Sequence, residues 1–181
     1  MKRLFCLLLT VVLCLSFAGC KEEKTKEADL DIAYFADLGQ MPECEYSLGT
    51  ESDKIEAEYV KQAEEDEEYY YNIQEGKSNV LIENGTYKFY YKKDKKDEGI
   101  GYLVSFDTAY GFEIGTVSLE VKEALGDFKY TEEKLNEKNS FFLLGAQNGS
   151  VIKCQSKKNT VMFVFDNNAL CATAIYTNDW E

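Results

Sequence analysis

The sequence predicts an α+β fold: two tandem helix-plus-antiparallel-sheet repeats forming one mostly antiparallel sheet with helices on one face. The first sign is a motif used twice. Leu48-Gly49-Thr50-Glu51-Ser52-Asp53-Lys54-Ile55 and Ile114-Gly115-Thr116-Val117-Ser118-Leu119-Glu120-Val121 both read aliphatic-Gly-Thr-x-Ser-x-x-Ile/Val. The second sign is that each copy opens a stretch of helical periodicity followed by several strand-like runs. The third is order. Thr86-Tyr87-Lys88-Phe89 matches Thr160-Val161-Met162-Phe163, and Ile100, Tyr102, Val104 and Phe106 match Leu170, Ala172, Ala174 and Tyr176. Offsets of 66, 74 and 70 in chain order imply a duplication over 34–110 and 111–181. About eight extra residues then fall between helix and hairpin in the second copy.

Ahead of the repeats stands a targeting segment. Met1-Lys2-Arg3 gives a positive start, Leu4 to Phe17 is apolar and uncharged, and Phe17-Ala18-Gly19-Cys20 closes it with small residues and a cysteine. This is the layout of a secretory signal over residues 1–19. A permanent anchor needs roughly 20 apolar residues, more than this run supplies. Lys21-Glu22-Glu23-Lys24-Thr25-Lys26-Glu27 has no apolar side chain, so residues 20–33 read as a flexible tether. Leu30 to Cys44 suits either a short helix or an irregular strap, ended by Pro42.

In the first unit Thr50 or Ser52 is placed to cap a helix over 52–66, with Glu51 and Asp53 in the first turn. Ile55, Tyr59, Val60 and Ala63 form its apolar stripe. The acidic run Glu64 to Glu68 lacks the spaced ligands and glycine of a calcium loop and reads as a solvated helix end. Tyr69 to Ile73 is strand-like, and Gly76 marks a turn. Asn79–Glu83 and Thr86–Lys92 flank Asn84-Gly85, a strong hairpin signal because both residues tolerate positive φ. After the polar loop Asp94 to Glu98, Ile100 to Phe106 alternates as a strand with one apolar face.

In the second unit Val121, Ala124 and Leu125 line a short helix that Gly126 ends. Thr131 to Lys138 reads as a polar connection or another helical turn. Four strands are expected: Ser140–Ala146, Val151–Ser156, Asn159–Asp166 and Ala169–Thr177, with tight turns at Asn148-Gly149 and Asn167-Asn168. That register sets Phe165 opposite Leu170, Val164 opposite Cys171, and Cys154 opposite Val161. Cys154 and Cys171 then lie on opposite faces of the sheet, where no disulfide can form, leaving Cys44 as the one candidate for outside pairing.

Composition narrows the function. Removing residues 1–19 leaves 18 basic against 33 acidic residues, a net charge of −15, which argues against nucleic acid and against lying flat on anionic lipid. With no histidine in the chain, His-based triads, general bases and metal ligands are excluded together. The cysteine spacing fits no zinc pattern and no nucleophile elbow is present, so no catalytic residue, metal or cofactor is expected. Asp107 to Gly111 is a linker between the units and a possible cleft. The thirteen tyrosines and eleven phenylalanines are more suggestive. On strands Tyr70 points away from Tyr69 and Tyr71, and Tyr90 away from Tyr87, Phe89 and Tyr91. A sheet with aromatics on both faces can pack helices on one and offer the other to a partner.

Two resemblances follow from these residues. Ala18-Gly19-Cys20 resembles the lipobox of bacterial lipoproteins, which implies acylation of Cys20 and a membrane-anchored protein facing outside the cytoplasm. Gly115, Val121 and Leu125-Gly126 are similar to the signature of small bacterial lipoproteins of the SmpA type, and the tandem plan resembles β-lactamase-inhibitory-protein-like (BLIP-like) folds. These imply helices on one face of a sheet and a protein partner bound on the other face or its loops. The expectation is a non-catalytic, lipid-anchored domain that binds a protein or envelope component. The alternative is a small carboxylate-dependent hydrolase or ligand-binding domain with a groove between the repeats.

Overall fold

The computed structural model describes residues 31–143 and 149–180. The signal segment, Cys20 and most of the tether lie outside the described residues, as does Asn148 of the expected Asn148-Gly149 turn.

The chain runs α1 (Ile32–Leu38), α2 (Ser52–Glu65), β1 (Tyr71–Glu75), β2 (Asn79–Asn84), β3 (Tyr87–Lys92), a 3-10 turn (Lys96–Glu98), β4 (Tyr102–Ser105), α3 (Ser118–Leu125), β5 (Tyr130–Lys134), β6 (Gly149–Gln155), β7 (Asn159–Asp166) and β8 (Ala169–Thr177). The eight strands form one sheet in the order β1-β2-β3-β4-β8-β7-β6-β5, and each of its ladders is antiparallel. The protein is α+β with an antiparallel sheet. The two runs of four strands meet at β4 and β8, which leaves β1 and β5 at the edges.

Alternation along the strands divides the apolar residues between two cores. Val80, Ile82, Phe89, Leu103, Ile152, Phe163, Phe165 and Ile175 face Ile32 and Ala36 of α1, Ile55 and Tyr59 of α2, and Val121 and Leu125 of α3. Tyr90, Tyr102, Val104, Val151, Met162, Val164, Ala174 and Tyr176 face the other way, under Phe142 and the partly buried Leu135, Leu143 and Trp180. The described helices therefore cover one face, and irregular chain covers part of the other. Strand β4 is buried on both faces, not on one as its alternation implies, because it lies at the middle of the sheet.

The two Gly-Thr motifs make the same contacts. Gly49 N–H donates to Ile100 O (2.8 Å) and Ile100 N–H to Thr50 O (2.9 Å); Gly115 N–H donates to Leu170 O (2.8 Å) and Leu170 N–H to Thr116 O (2.8 Å). Both glycines have positive φ, 84° and 99°, a backbone that costs glycine nothing. The motif thus bonds to the last strand region of its own half. Helix capping, the expected role of its hydroxyls, is not what they do. Glu51 and Val117 hold the N-cap positions without a side-chain cap bond. Thr50 Oγ1 accepts from Ser47 N–H, Ser52 turns to Asp53, and Ser118 donates to Asn168 Oδ1 in the β7–β8 turn.

Other elements correct the sequence expectations. Residues 31–44 resolve the open choice in favour of a helix: Asp31 caps α1 by accepting from Tyr34 N–H (3.0 Å), and Gly39 ends it with φ 69°. In α2 Ile55 and Tyr59 are buried but Val60 is exposed, and in α3 Ala124 is exposed. The β2–β3 hairpin forms, but neither Asn84 nor Gly85 takes positive φ. Asn84 Oδ1 instead accepts from the N–H groups of Thr86 (2.9 Å) and Tyr87 (2.7 Å), and its Nδ2 donates to Tyr59 Oη (3.0 Å). Asn167 and Asn168 do take positive φ, 50° and 69°.

The stretch read as a polar connection or helical turn, Thr131 to Lys138, begins inside edge strand β5, and the expected strand Ser140–Ala146 is a turn over its described part. The extra chain of the second half lies in the β5–β6 connection, residues 135–148, while α3 is shorter than α2 (8 against 14 residues).

The linker between the halves is a filled turn, not a cleft. Tyr110 and Gly111 have φ 54° and 75°, a conformation that is an outlier for a bulky residue. Glu43 holds it, accepting from the N–H groups of Tyr110 (2.9 Å) and Gly111 (2.8 Å). The buried Tyr110 ring ends with its hydroxyl donating to Gln40 O (2.7 Å).

Candidate functional site

The helix-free face carries the most distinctive surface. Register aligns Leu81, Tyr90, Tyr102, Tyr176, Thr160 and Gln155 in one row across six strands. At its centre, where the halves meet, Tyr102 and Tyr176 stack with centroids 4.8 Å apart and planes 4° apart. Phe141 stands over them at 5.3 Å from Tyr90 and 5.2 Å from Tyr102, and Trp180 closes the other side at 5.8 Å from Tyr102. Lys92 Nζ sits 5.4 Å above the Trp180 ring, within cation–π range. The stacked tyrosines are only 3% and 5% exposed, whereas Phe141 is 45% exposed. An incoming partner meets Phe141 and the half-buried Trp180, with the tyrosines as a fixed floor.

A cleft of about 640 Å³ opens here, lined by Tyr102, Met162, Phe141, Tyr176 and Trp180 with Lys138, Lys153 and Glu133 on its polar side. A second, of about 470 Å³, shares Glu133, Lys153 and Tyr176 and extends to Lys129 and Tyr130. Lys153 and Glu133 pair at 3.2 Å. Asn136 and Asn139 are turned to their own loop, where both amides donate to Lys134 O. Three lysines against one glutamate line the two clefts, a locally basic patch on a chain of net charge −13.

The groove between the halves is smaller, about 310 Å³, and is lined by Gly49, Ile100 and Lys92 from one half and Lys158, Thr177 and Trp180 from the other. Its carboxylates are engaged. Asp37 accepts from Lys157 N–H, Glu98 pairs with Lys95 at 2.9 Å, and a hydrogen bond from the Thr177 hydroxyl holds Asp179 below its ordinary value.

Among the described residues Cys44, Cys154 and Cys171 are free thiols, and Cys154 and Cys171 lie on opposite faces as the register implies. Cys154 pairs with Val161 and Phe165 with Leu170 as expected. The expected Val164–Cys171 pair is displaced by a bulge, and Val164 faces Ala172. Burial pushes the Cys44 thiol up to about 11 and the Cys154 thiol up to about 12. Raised values leave both protonated at neutral pH, and the thiol is the unreactive form. Cys44 is therefore poorly suited to outside pairing.

Among the described residues no group of histidine, cysteine, aspartate or glutamate is placed to hold a metal ion, and no helix is long and apolar enough to cross a membrane. Cys20, the expected lipidation site, lies outside them. Sequence reasoning placed the aromatics on the correct faces but missed Phe141 and Trp180. The signal for Phe141 was present, since Phe141-Phe142-Leu143 is an apolar run, but it reads as a buried strand. No family model matches this chain, and neither a characterised protein nor a solved structure does.

Proposed function

We propose that this chain is a non-catalytic binding domain, held outside the cytoplasm of a bacterial cell by an acyl chain on Cys20, and that its helix-free face takes a protein or envelope component. The observation that carries the binding surface is the exposed Phe141 ring beside Trp180, above the stacked Tyr102–Tyr176 pair and next to a basic patch. Aromatic rings on a rigid floor supply contact area at little entropic cost, and such residues are enriched where partners bind. The locally positive clefts favour a partner that is acidic where it docks. A carboxylate-dependent hydrolase needs two carboxyl groups facing one substrate. The groove between the halves is lined by Asp37, Glu98 and Asp179, each already engaged, and the two clefts on the helix-free face offer Glu133, paired with Lys153.

The halves are best understood as copies of one helix-plus-four-strand unit, of the kind found in SmpA-type and BLIP-like proteins. The matched Gly-Thr contacts and the strand order, in which β1 to β4 are answered by β5 to β8, support this.

Cross-linking of the full chain in intact cells tests the surface. Alanine at both Phe141 and Trp180 is expected to abolish capture of the partner, while Tyr34→Ala on the exposed side of α1 leaves it intact. Capture that survives the double change would show that another surface binds, and no specific capture by the unaltered chain would overturn the binding role. The anchor is tested apart. Incorporation of a labelled fatty acid is expected for the unaltered chain and lost in Cys20→Ala; label that persists in Cys20→Ala removes the lipid assignment.

A further inference from the structure

The two edges of the sheet differ in a way that bears on self-association. An edge strand presents unpaired backbone groups, and proteins usually blunt it with charge. Strand β5 is blunted. Its side chains are all exposed and read Tyr-Thr-Glu-Glu-Lys. Glu132 and Glu133 are ion-paired with Lys122 and Lys153, so any two-fold antiparallel pairing centred on either or between them crowds these charge pairs against their own copies, and like charges directly opposite are destabilising.

Strand β1 carries no such guard. It reads Tyr71-Asn72-Ile73-Gln74-Glu75, and among the described residues β2 is its one strand neighbour. Gly76 N–H donates to Asn79 O (2.8 Å) at the β1–β2 turn. Antiparallel bonding alternates along the strand, so Gln74 and Asn72 bond inward to β2. The N–H and C=O groups of Tyr71 and Ile73 point to the open edge. Asn72 and Gln74 are further held by their amides, which donate to Glu83 Oε1 at 3.0 and 3.4 Å. The edge is therefore free of bulges in its ladder to β2, neutral at its centre and fixed in place.

We propose that β1 pairs with β1 of a second copy of this chain, antiparallel and centred on Ile73, to make a sheet continuous across both copies. With that centre the two Ile73 residues exchange backbone bonds, and their half-buried side chains meet on the helix-bearing face. Asn72 lies opposite Gln74, and Tyr71 opposite Glu75, whose carboxylate is already neutralised by Lys93. No like charges face each other within the strand. Extended by one step, Tyr70 falls opposite Gly76 of the other copy. Tyr70 is 59% exposed in the single chain, and here its ring gains a glycine to cover. One step further, Lys77 lies opposite Tyr69, next to the acidic run that ends at Glu68. Each copy thus places a cation near the other's cluster of acids.

Two substitutions in the full chain test this pairing. Facing residues in such a pair bring their backbones within disulfide reach. After mild oxidation, on a denaturing non-reducing gel, Ile73→Cys is expected to run as a covalent dimer, while the unaltered chain and Thr131→Cys on the β5 edge show no covalent dimer. Ile73→Pro removes the outward N–H but no bond to β2, and proline is tolerated on an edge strand. In detergent solution it is expected to sediment at monomer mass with an unchanged circular dichroism spectrum, against twice that mass for the unaltered chain. Monomer mass for the unaltered chain, equal oxidation at both edges, or an Ile73→Cys cross-link to a different protein would each overturn the proposal.

Discussion

Gly99→Ala should lower the unfolding free energy by roughly 2–5 kcal/mol, summing about 1–2 for a side chain in a left-handed backbone and about 1–3 for overpacking. Gly99 has φ 72°, and a Cβ there would lie 2.5 Å from Gly49 O and 2.6 Å from Thr50 O. Those oxygens belong to backbone, and Thr50 O receives the Ile100 N–H. The methyl group cannot be accommodated by turning a flexible side chain. It must push apart the joint where the first Gly-Thr motif meets the chain entering β4. Gly115→Ala separates the two causes. Gly115 has φ 99°, but a Cβ there would meet nothing within 4 Å, so only the backbone cost of about 1–2 kcal/mol applies. Urea unfolding checks both, with the Gly99 midpoint falling well below that of Gly115→Ala. Equal losses would mean that the joint yields to the extra methyl group.

Phe163→Ala should cost about 3–5 kcal/mol, the usual range for deleting a fully buried phenyl ring. Phe163 is fully buried on β7, facing the helices, and its ring meets Phe112 at 5.6 Å and Tyr110 at 6.1 Å. The cavity cannot collapse easily. Tyr110 is fixed at both ends, its backbone by Glu43 and its hydroxyl by Gln40 O. Against a typical domain stability of about 5–15 kcal/mol the loss is large. The denaturation midpoint should fall with the slope unchanged, because the surface exposed on unfolding is nearly the same. A loss below about 1 kcal/mol would place Phe163 outside the cooperative core.

What was legible in the sequence was whatever leaves an alternating or turn signal. Asn159–Asp166 and Ala169–Thr177 flank Asn167-Asn168, and both the strands and the Phe165–Leu170 pairing are as read. The Val164–Cys171 pairing failed by one position because Cys171 is an extra residue on β8 between the partners of Phe165 and Val164, and nothing in Leu170-Cys171-Ala172 announces a bulge. Strand β5 was hidden because its side chains are all in water. What makes it a strand is its ladder to β6, Tyr130 opposite Cys154 through Lys134 opposite Ser150, a long-range fact. Ser140 to Leu143 misled in the opposite sense. Its phenylalanines are apolar because they cover the tyrosines of the helix-free face, and a cover has no period. The Gly-Thr motif was found, but its partner was not: Ile100 and Leu170 lie 50 or more residues further along the chain. The candidate site was half legible for the same reason. Tyr102 and Tyr176 sit in alternating strands, whereas Phe141 and Trp180 reach them from irregular chain.

The strand order also bears on how the sheet is completed. Strand β4 has β3 on one side, and its other neighbour is β8, with Tyr102 opposite Tyr176 across 74 residues of chain. The first half can form its local hairpins early, yet it carries a bare inner edge until β8 has been made. Loop closure over such a distance is slow, and open inner edges are the places where partly folded chains aggregate. Tyr102 and Tyr176 can stack only when β8 lies against β4, so a chain that displays the aromatic face intact has joined its two runs of four strands.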